Sequence, residues 1–198
     1  MEYNLAPLPN YRQWFKFEEA IDLFSRLSMA MPERLLLSSD GSLTRLLESV
    51  YLSPIEVEVK NQKTEQIDAA AADYLGVSSN QDAVIRDIWL TKGRQRLVYA
   101  NSVFPTSGLD KGFLEKLIRG YEPLGHLLRS HNFLTLRDNW EIGIIQCPDA
   151  ALDLSIPIDT PLWARRYRLL ANPLTTGNGI TAAIMEIFSP DVLHYKKL

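Results

Sequence analysis

Two runs of apolar and β-branched residues flank a short polar turn between Asp82 and Pro105. This arrangement, with Gly93 at the turn, predicts a long β-hairpin. Because side chains alternate along a strand, Arg86 falls in an otherwise aliphatic row on one face of the first arm. A guanidinium in such a row has a high desolvation cost unless an anion meets it. The hairpin therefore constrains both the fold and the search for a binding site.

A carboxylate occupies a comparable apolar setting at Glu186, in the segment ITAAIMEIFSP. One interpretation is functional: Arg86 holds a substrate carboxylate with its planar fork, and Glu186 binds a hydroxyl or moves a proton. The other interpretation is structural. In that case Arg86 takes part in an ion pair, Glu186 pairs with an arginine of residues 162–170, or the two side chains satisfy each other. The residues alone leave both interpretations open.

The bulk properties argue against several classes of protein. A formal net charge of −3 over 198 residues gives no electrostatic case for nucleic-acid or anionic-membrane partners. No apolar stretch approaches the roughly 20 residues of a membrane span, and the first residues lack the pattern of a secretory signal. The single Cys147 cannot form an internal disulfide, and no Cys/His spacing suggests a metal site. We expect a cytoplasmic protein.

The remaining periodicity predicts an α+β fold with a mainly antiparallel β-sheet. Besides the hairpin, strand patterns occupy residues 55–60, 133–146, 162–170 and 180–188. Helical patterns occupy residues 17–29, 42–53, 67–75, 108–120 and 123–128, the last with a proline at its first position. Residues 1–16 are expected to lie extended over the body of the protein. Pro32 and the Pro/Asp-rich stretch after residue 146 are expected to interrupt regular structure.

Weaker candidates for anion binding come from helix starts. The N–H of Leu124 follows a proline, and the N–H of Leu43 follows the predicted cap Ser42, so both lie in a first helical turn. Every helix start has free N–H groups, so these signals are not specific. His131 and Arg137 could lie at the rim of a pocket, but we interpret them as surface residues.

Three arginines occur close together on one predicted strand, in the segment LWARRYRLL. Alternation places Arg166 and Arg168 on one face and Arg165 on the other. One of these faces is a candidate to bind a dianionic ligand. The alternative for at least one of them is a solvated strand face.

The motifs occur in the order of a known family. They are GSLTRLLE (41–48), IRDIWL (85–90), SVFP (102–105), PLGHLL (123–128), LTLRDNWEIG (134–143), LWARRYRLL (162–170) and MEIFSP (185–190). From about residue 35 onward this set resembles bacterial chorismate pyruvate-lyase, also called 4-hydroxybenzoate synthase. We therefore expect one chorismate lyase-like domain over residues 1–198, with residues 1–35 as a poorly matched N-terminal extension.

The resemblance implies an antiparallel sheet of about six strands with helical flaps over an internal site. It also implies that chorismate is converted to 4-hydroxybenzoate and pyruvate without a metal or other cofactor. The product would enter quinone biosynthesis, and its end product could be ubiquinone, plastoquinone or another phenolic compound. The implied partners are the small-molecule substrate and product, with no nucleic acid and no membrane span.

Roles for individual residues also follow from the resemblance. Arg86 takes the place of the family arginine that binds the ring carboxylate, together with the backbone N–H of Leu124. Glu186 takes the place of the glutamate that meets the 4-hydroxyl, so Arg86 and Glu186 are the expected catalytic residues. Leu43 replaces a family methionine and keeps only a backbone contact. Whether Glu186 takes the C4 proton, or the enolpyruvyl group receives it internally, stays open.

The second carboxylate of chorismate needs a further cation. We expect one of Arg165, Arg166 and Arg168 to supply it, with Arg166 and Arg168 as substrate-binding candidates. The rival interpretation is a non-catalytic module that binds a phenolic acid, because the effector domain of GntR-type regulators shares the fold. The residues before the first matching motif are not basic and are expected to be too few for a winged-helix region.

Overall fold

The computed structural model describes residues 12–120, 122–173 and 179–193. Its strands are β1 (Arg12–Lys16), β2 (Glu56–Gln66), β3 (Asp82–Lys92), β4 (Gln95–Pro105), β5 (Phe133–Ile145), β6 (Leu162–Pro173) and β7 (Ile180–Phe188). Its helices are α1 (Phe17–Arg26), α2 (Met31–Ser38), α3 (Leu43–Tyr51), α4 (Ala69–Leu75), α5 (Lys111–Arg119), α6 (Leu124–Ser130) and α7 (Pro148–Leu154). The predicted α+β class is confirmed.

The strands form one seven-stranded sheet in the order β1-β5-β6-β7-β4-β3-β2, and each neighbouring pair is antiparallel. The predicted hairpin is β3 and β4, in which Arg86 lies opposite Ser102. β6 and β7 form the second predicted hairpin, in which Arg165 lies opposite Glu186. Strand order places β7 between the β3–β4 hairpin and β6, so residues distant in sequence share one face.

Helices cover both faces of this sheet. On one face α1, α2 and α3 pack on aliphatic side chains of β3 and β4, in a core cluster that includes Leu37 and Leu47. Beside it, α5 and α6 pack over a second cluster that includes Phe104 and Leu117. The opposite face carries the alternate side chains of the same strands, and α4 and α7 cover it. The first face is therefore roofed by two separate groups of helices.

Three elements differ from the sequence-based expectations. Residues 12–16 pair with β5 as an edge strand, so the sheet has seven strands rather than about six. The helical pattern is interrupted before Pro32, at residues 27–30, and Pro32 itself lies in the first turn of a new helix, where it lacks only an N–H that would have no helical partner. The α7 helix replaces an expected irregular connection, because Pro148 and Asp149, which are typical of loops, lie in its first turn, where a proline and an acidic residue are favourable.

Other boundaries shift by a few residues. β2 continues to Gln66 through polar residues, which an exposed edge strand tolerates. Pro123 is the N-cap of α6 rather than its first residue. Parts of the expected extended segment and of the β6–β7 turn, residues 1–11 and 174–178, lie outside the described residues. Among the described helices, none is long and apolar enough to span a bilayer.

Candidate active site

A pocket of about 60 Å³ lies between the two groups of helices, on the face of the sheet that carries Arg86. Its polar lining residues are Ser42, Thr44, Arg86, Ser102, Arg137, Tyr167 and Glu186. A larger groove of about 430 Å³ lies between α1 and α2, but Arg34 is its one charged residue among the described ones. The smaller pocket is the candidate site, because it brings cations and a carboxylate together in an apolar setting.

Arg86 projects from β3 into this pocket and is 2% exposed. Its Nη2 donates a hydrogen bond of 3.0 Å to the carbonyl oxygen of Gly120, while its buried Nε has no partner in the described residues. No carboxylate of the described chain pairs with it, so mutual pairing of Arg86 with Glu186 is wrong. Burial lowers the pKa of Arg86 to about 10, and the guanidinium stays charged at neutral pH. Arg86 is thus a buried cation with no anionic partner among the described residues.

Glu186 projects from β7 into the same pocket and is paired across the sheet. The Nε of Arg165 donates to its Oε2 at 2.5 Å, and the hydroxyl of Tyr167 donates to its Oε1 at 3.1 Å. Arg165 is fully buried and also donates to the carbonyl oxygens of Leu36 and Ser39. The structural interpretation of Glu186, as the partner of an arginine on β6, is therefore correct. Glu186 still faces the pocket, so this pairing leaves it able to bind a ligand.

Aromatic rings hold the Glu186 side of the pocket in place. The Tyr167 ring stacks on Trp140 with centroids 4.9 Å apart and planes 9° apart, and the Arg165 guanidinium lies 5.0 Å from the centroid of the Trp140 ring. Burial and then the negative charge of Glu186 raise the pKa of the Tyr167 hydroxyl. Tyr167 therefore remains a hydrogen-bond donor near neutral pH, and it fixes the orientation of the carboxylate.

The first turns of α3 and α6 meet beside the pocket. Leu43 and Leu124 both line it, so these two predicted residues are brought together with Arg86 and Glu186. Gly125 permits the close approach, because a Cβ at this position would lie 2.6 Å from Oγ of Ser42. The same Ser42 oxygen accepts a hydrogen bond from a backbone N–H of α3, as the predicted cap.

We expect Gly125→Ala to be better tolerated when Ser42 is also alanine. In the wild-type background the new methyl group displaces the Ser42 hydroxyl from its cap, whereas in Ser42→Ala it gains the higher helix propensity of alanine. The coupling between the two substitutions should be about 1–2 kcal/mol. Urea unfolding of the wild type, both single variants and the double variant measures it. Additive effects would contradict the contact.

Arg137, interpreted from the sequence as a surface residue, lines the pocket from β5. Its Nη1 donates to the carbonyl oxygen of Asp40 at 2.6 Å, and its buried Nε has no partner among the described residues. The guanidinium lies 5.3 Å from the centroid of the Tyr167 ring. The register between β5 and β6 shifts just after Asp138. Because this shift interrupts the simple alternation of side chains, the sequence does not predict which face of the sheet Arg137 lies on.

Arg166 and Arg168 are not brought to this pocket. They lie on the opposite face of β6 from Arg165, as alternation predicted. Arg166 pairs with Glu141 at 2.6 Å, and Arg168 pairs with Asp138 at 2.6 Å. The expectation that they bind a substrate carboxylate is therefore wrong for this pocket. Alternation predicted which arginines share a face, but it did not indicate which face carries the pocket.

Metal-binding groups are not clustered in the part of the chain that the structure describes: no group of three or more His, Cys, Asp or Glu side chains could hold an ion there. Cys147 is buried under α7 on the opposite face of the sheet from the pocket. His126 is not among the residues that line the pocket, and its Nε2 lies 3.4 Å from a carboxylate oxygen of Glu48. The titratable side chains that line the pocket are Arg86, Arg137, Tyr167 and Glu186.

The sequence matches known proteins over most of its length. The family described as chorismate pyruvate-lyase Rv2949c-like matches residues 37–196, a range that contains every residue lining the pocket. MJ0807 of Methanocaldococcus jannaschii is 27% identical over 178 residues, which cover 87% of this chain and 86% of that protein. A probable chorismate pyruvate-lyase of Pseudomonas fluorescens is 30% identical over 158 residues, which cover 79% of this chain and 78% of that protein.

Solved structures share the architecture at much lower identity. The effector domain of PhnF from Mycobacterium smegmatis is 15% identical and matches with a TM-score of 0.57, over 77% of this chain and 91% of that domain. At this identity the likeness shows the fold alone. Function therefore has to be argued from the pocket.

Proposed function

The chain belongs to the Rv2949c-like chorismate pyruvate-lyase family, and we propose that it converts chorismate to 4-hydroxybenzoate and pyruvate. The observation that carries this proposal is Arg86, which is 2% exposed and has no carboxylate partner in the described residues. Burying an unpaired charge costs several kcal/mol, and a bound carboxylate offsets that cost. A substrate with a carboxylate on its ring supplies the missing partner.

We place the substrate ring between Arg86 and Glu186. In the order β3-β4-β7 the two side chains arise two strand spacings apart, roughly 10 Å along the hydrogen-bonding direction. The side chains of Arg86 and Glu186 extend into this space and shorten the distance between their charged groups. The space that remains fits a ring with a carboxylate at one end and a hydroxyl at the opposite end. Arg86 and the N–H of Leu124 bind the ring carboxylate, and Glu186 accepts a hydrogen bond from the 4-hydroxyl. Leu43 contributes a backbone contact from the first turn of α3.

The reaction needs no electron acceptor. The C3–O bond to the enolpyruvyl group breaks as the proton leaves C4, and the C–H electron pair completes the aromatic ring of 4-hydroxybenzoate. The departing enolpyruvyl group becomes pyruvate when its methylene carbon takes up a proton. We assign the protein the tasks of fixing the reactive conformer and excluding water, because the floor of the pocket is aliphatic and helices roof it.

4-Hydroxybenzoate should inhibit the enzyme competitively against chorismate. It keeps both groups that meet Arg86 and Glu186, and it leaves an enclosed pocket slowly. 4-Methylbenzoate has nearly the same shape but no hydroxyl, and it should bind about 10-fold or more weakly because Glu186 loses its donor. Inhibition constants for the two compounds test this. Equal constants would contradict the proposed contact of Glu186 with the hydroxyl.

The decisive experiment follows both products from purified protein and chorismate. 4-Hydroxybenzoate is quantified by chromatography, and pyruvate by a coupled lactate dehydrogenase assay. Equimolar formation of the two supports the proposed reaction, and we then place the product in the supply of quinone biosynthesis. Saturable binding of 4-hydroxybenzoate without turnover would instead support a non-catalytic phenolic acid-binding module. If the protein neither turns over chorismate nor binds 4-hydroxybenzoate, both the lyase and the binding module are overturned.

A further inference from the structure

Two positive charges face the pocket without an anionic partner in the part of the chain that the structure describes, although the proposed product carries a single carboxylate. Arg165 neutralises Glu186 in a buried ion pair at 2.5 Å. Arg86 and Arg137 remain, and neither pairs with a carboxylate in the described residues. Because both cations line one pocket, a dianionic ligand would balance their charges. Chorismate is such a dianion, with one carboxylate on its ring and one on its enolpyruvyl group.

Arg137 is built to receive an anion on the side of the pocket away from Arg86. The bond from its Nη1 to the carbonyl oxygen of Asp40 fixes the guanidinium against the loop that precedes α3. The ring of Tyr167 supports it from one side, at 5.3 Å. Its buried Nε still lacks an acceptor within the described residues. A guanidinium that is anchored at one end and unsatisfied at the other is preorganised for a carboxylate.

The strand order puts the two unpaired arginines on either side of Glu186. In the order β5-β6-β7-β4-β3, Arg137 on β5 and Arg86 on β3 are each two strands away from Glu186 on β7. The enolpyruvyl group of chorismate is attached at C3, next to the carbon that bears the 4-hydroxyl. With the ring carboxylate at Arg86 and the hydroxyl at Glu186, the side chain on C3 can extend towards Arg137.

We propose that Arg137 binds the enolpyruvyl carboxylate of chorismate and so distinguishes the dianionic substrate from monoanionic phenolic acids. The inference rests on the proposed function, because it assumes that chorismate occupies this pocket. It replaces the expectation that an arginine of β6 holds this carboxylate. Pyruvate carries this carboxylate away after the C3–O bond breaks, so the contact with Arg137 is absent from the bound 4-hydroxybenzoate.

Arg137→Gln tests the proposal by comparing two ligands at one site. It should raise the KM for chorismate about 10–100-fold, because a charge-assisted contact is lost. The inhibition constant of 4-hydroxybenzoate should stay within about twofold of the wild type. Arg166→Gln, an arginine paired with Glu141 on the opposite face, is the matched control and should change neither constant. Equal effects of Arg137→Gln on both ligands, or no effect on either, would overturn the proposal.

Arg137→Lys separates the role in binding from the hydrogen bond to Asp40. Lysine keeps the positive charge but cannot form the bidentate hydrogen bonds of a guanidinium. The KM of Arg137→Lys for chorismate should therefore lie between those of the wild type and Arg137→Gln. This variant also serves if Arg137→Gln does not fold. If the wild type binds chorismate without producing pyruvate, the proposed function fails on its own. In that case, calorimetry measures the dissociation constants of chorismate and 4-hydroxybenzoate for the wild type and Arg137→Gln. The substitution should weaken the binding of chorismate and leave that of 4-hydroxybenzoate within about twofold.

Discussion

Arg86→Met should abolish most of the activity and at the same time stabilise the ligand-free protein. We expect kcat/KM for chorismate to fall about 100–1,000-fold, which corresponds to the roughly 3–4 kcal/mol of a buried charge-assisted contact with the ring carboxylate. The contact exists only with ligand bound, because Arg86 has no carboxylate partner in the described residues. Steady-state kinetics with chorismate measure this loss.

The opposite change in stability makes the Arg86 prediction specific. Replacing an unpaired buried cation with an apolar side chain of similar length removes a desolvation penalty of several kcal/mol. The carbonyl of Gly120 loses its donor in return, at about 1–3 kcal/mol. We therefore expect the free energy of unfolding in urea to rise by about 1 kcal/mol. A decrease would mean that Arg86 has a structural role, and the proposed function would lose its main support.

Arg96 provides the matched control for Arg86 on the same hairpin. It lies on β4 in an exposed ion pair with Glu58, so it already has its anion. Arg96→Met should leave kcat/KM unchanged and lower the free energy of unfolding by at most about 1 kcal/mol. The two substitutions should thus change stability in opposite directions, because one arginine is paired and the other is not.

Glu186→Ala should both inactivate the protein and destabilise it strongly. Removing the carboxylate leaves Arg165, which is fully buried, without its anion and the Tyr167 hydroxyl without its acceptor. Breaking a buried ion pair from one side costs about 3–5 kcal/mol. Urea unfolding should show a loss of this size, and turnover of chorismate should fall with the loss of the contact to the 4-hydroxyl.

A double variant separates the structural role of Glu186 from its role in binding. Arg165→Met combined with Glu186→Met removes both charges, so it should recover most of the lost stability while the protein stays inactive. Glu141→Ala, which breaks the half-buried pair with Arg166 on the opposite face, should cost no more than about 1 kcal/mol. If Glu186→Ala also lowered the free energy of unfolding by no more than about 1 kcal/mol, the buried pair of Arg165 and Glu186 would not stabilise the sheet.

Together these predictions assign different tasks to two buried arginines on one face. Arg165 pairs with Glu186 and donates to two backbone carbonyls, and it stabilises the fold. Arg86 has no anionic partner within the described ranges, which lowers stability and keeps a site open for a carboxylate. Natural proteins accept such local costs where the group is needed for binding.

The sequence by itself determined the elements whose signals are local. The β3–β4 hairpin follows from two apolar runs around a glycine turn, and the start of α3 follows from the cap at Ser42. The apolar rows around Arg86 and Glu186 were readable because side chains alternate along a strand. These patterns depend on neighbours within a few residues, so they needed no knowledge of how the strands are ordered.

Only the tertiary structure decided which of these residues meet. Glu186 pairs with Arg165 rather than Arg86 because β4 lies between β3 and β7, and no local pattern sets strand order. Alternation separated Arg165 from Arg166, but it could not indicate which face carries the pocket. The shift in register on β5 hid the facing of Arg137 altogether. Contacts across strands depend on register and layer packing, and these are properties of the folded chain as a whole.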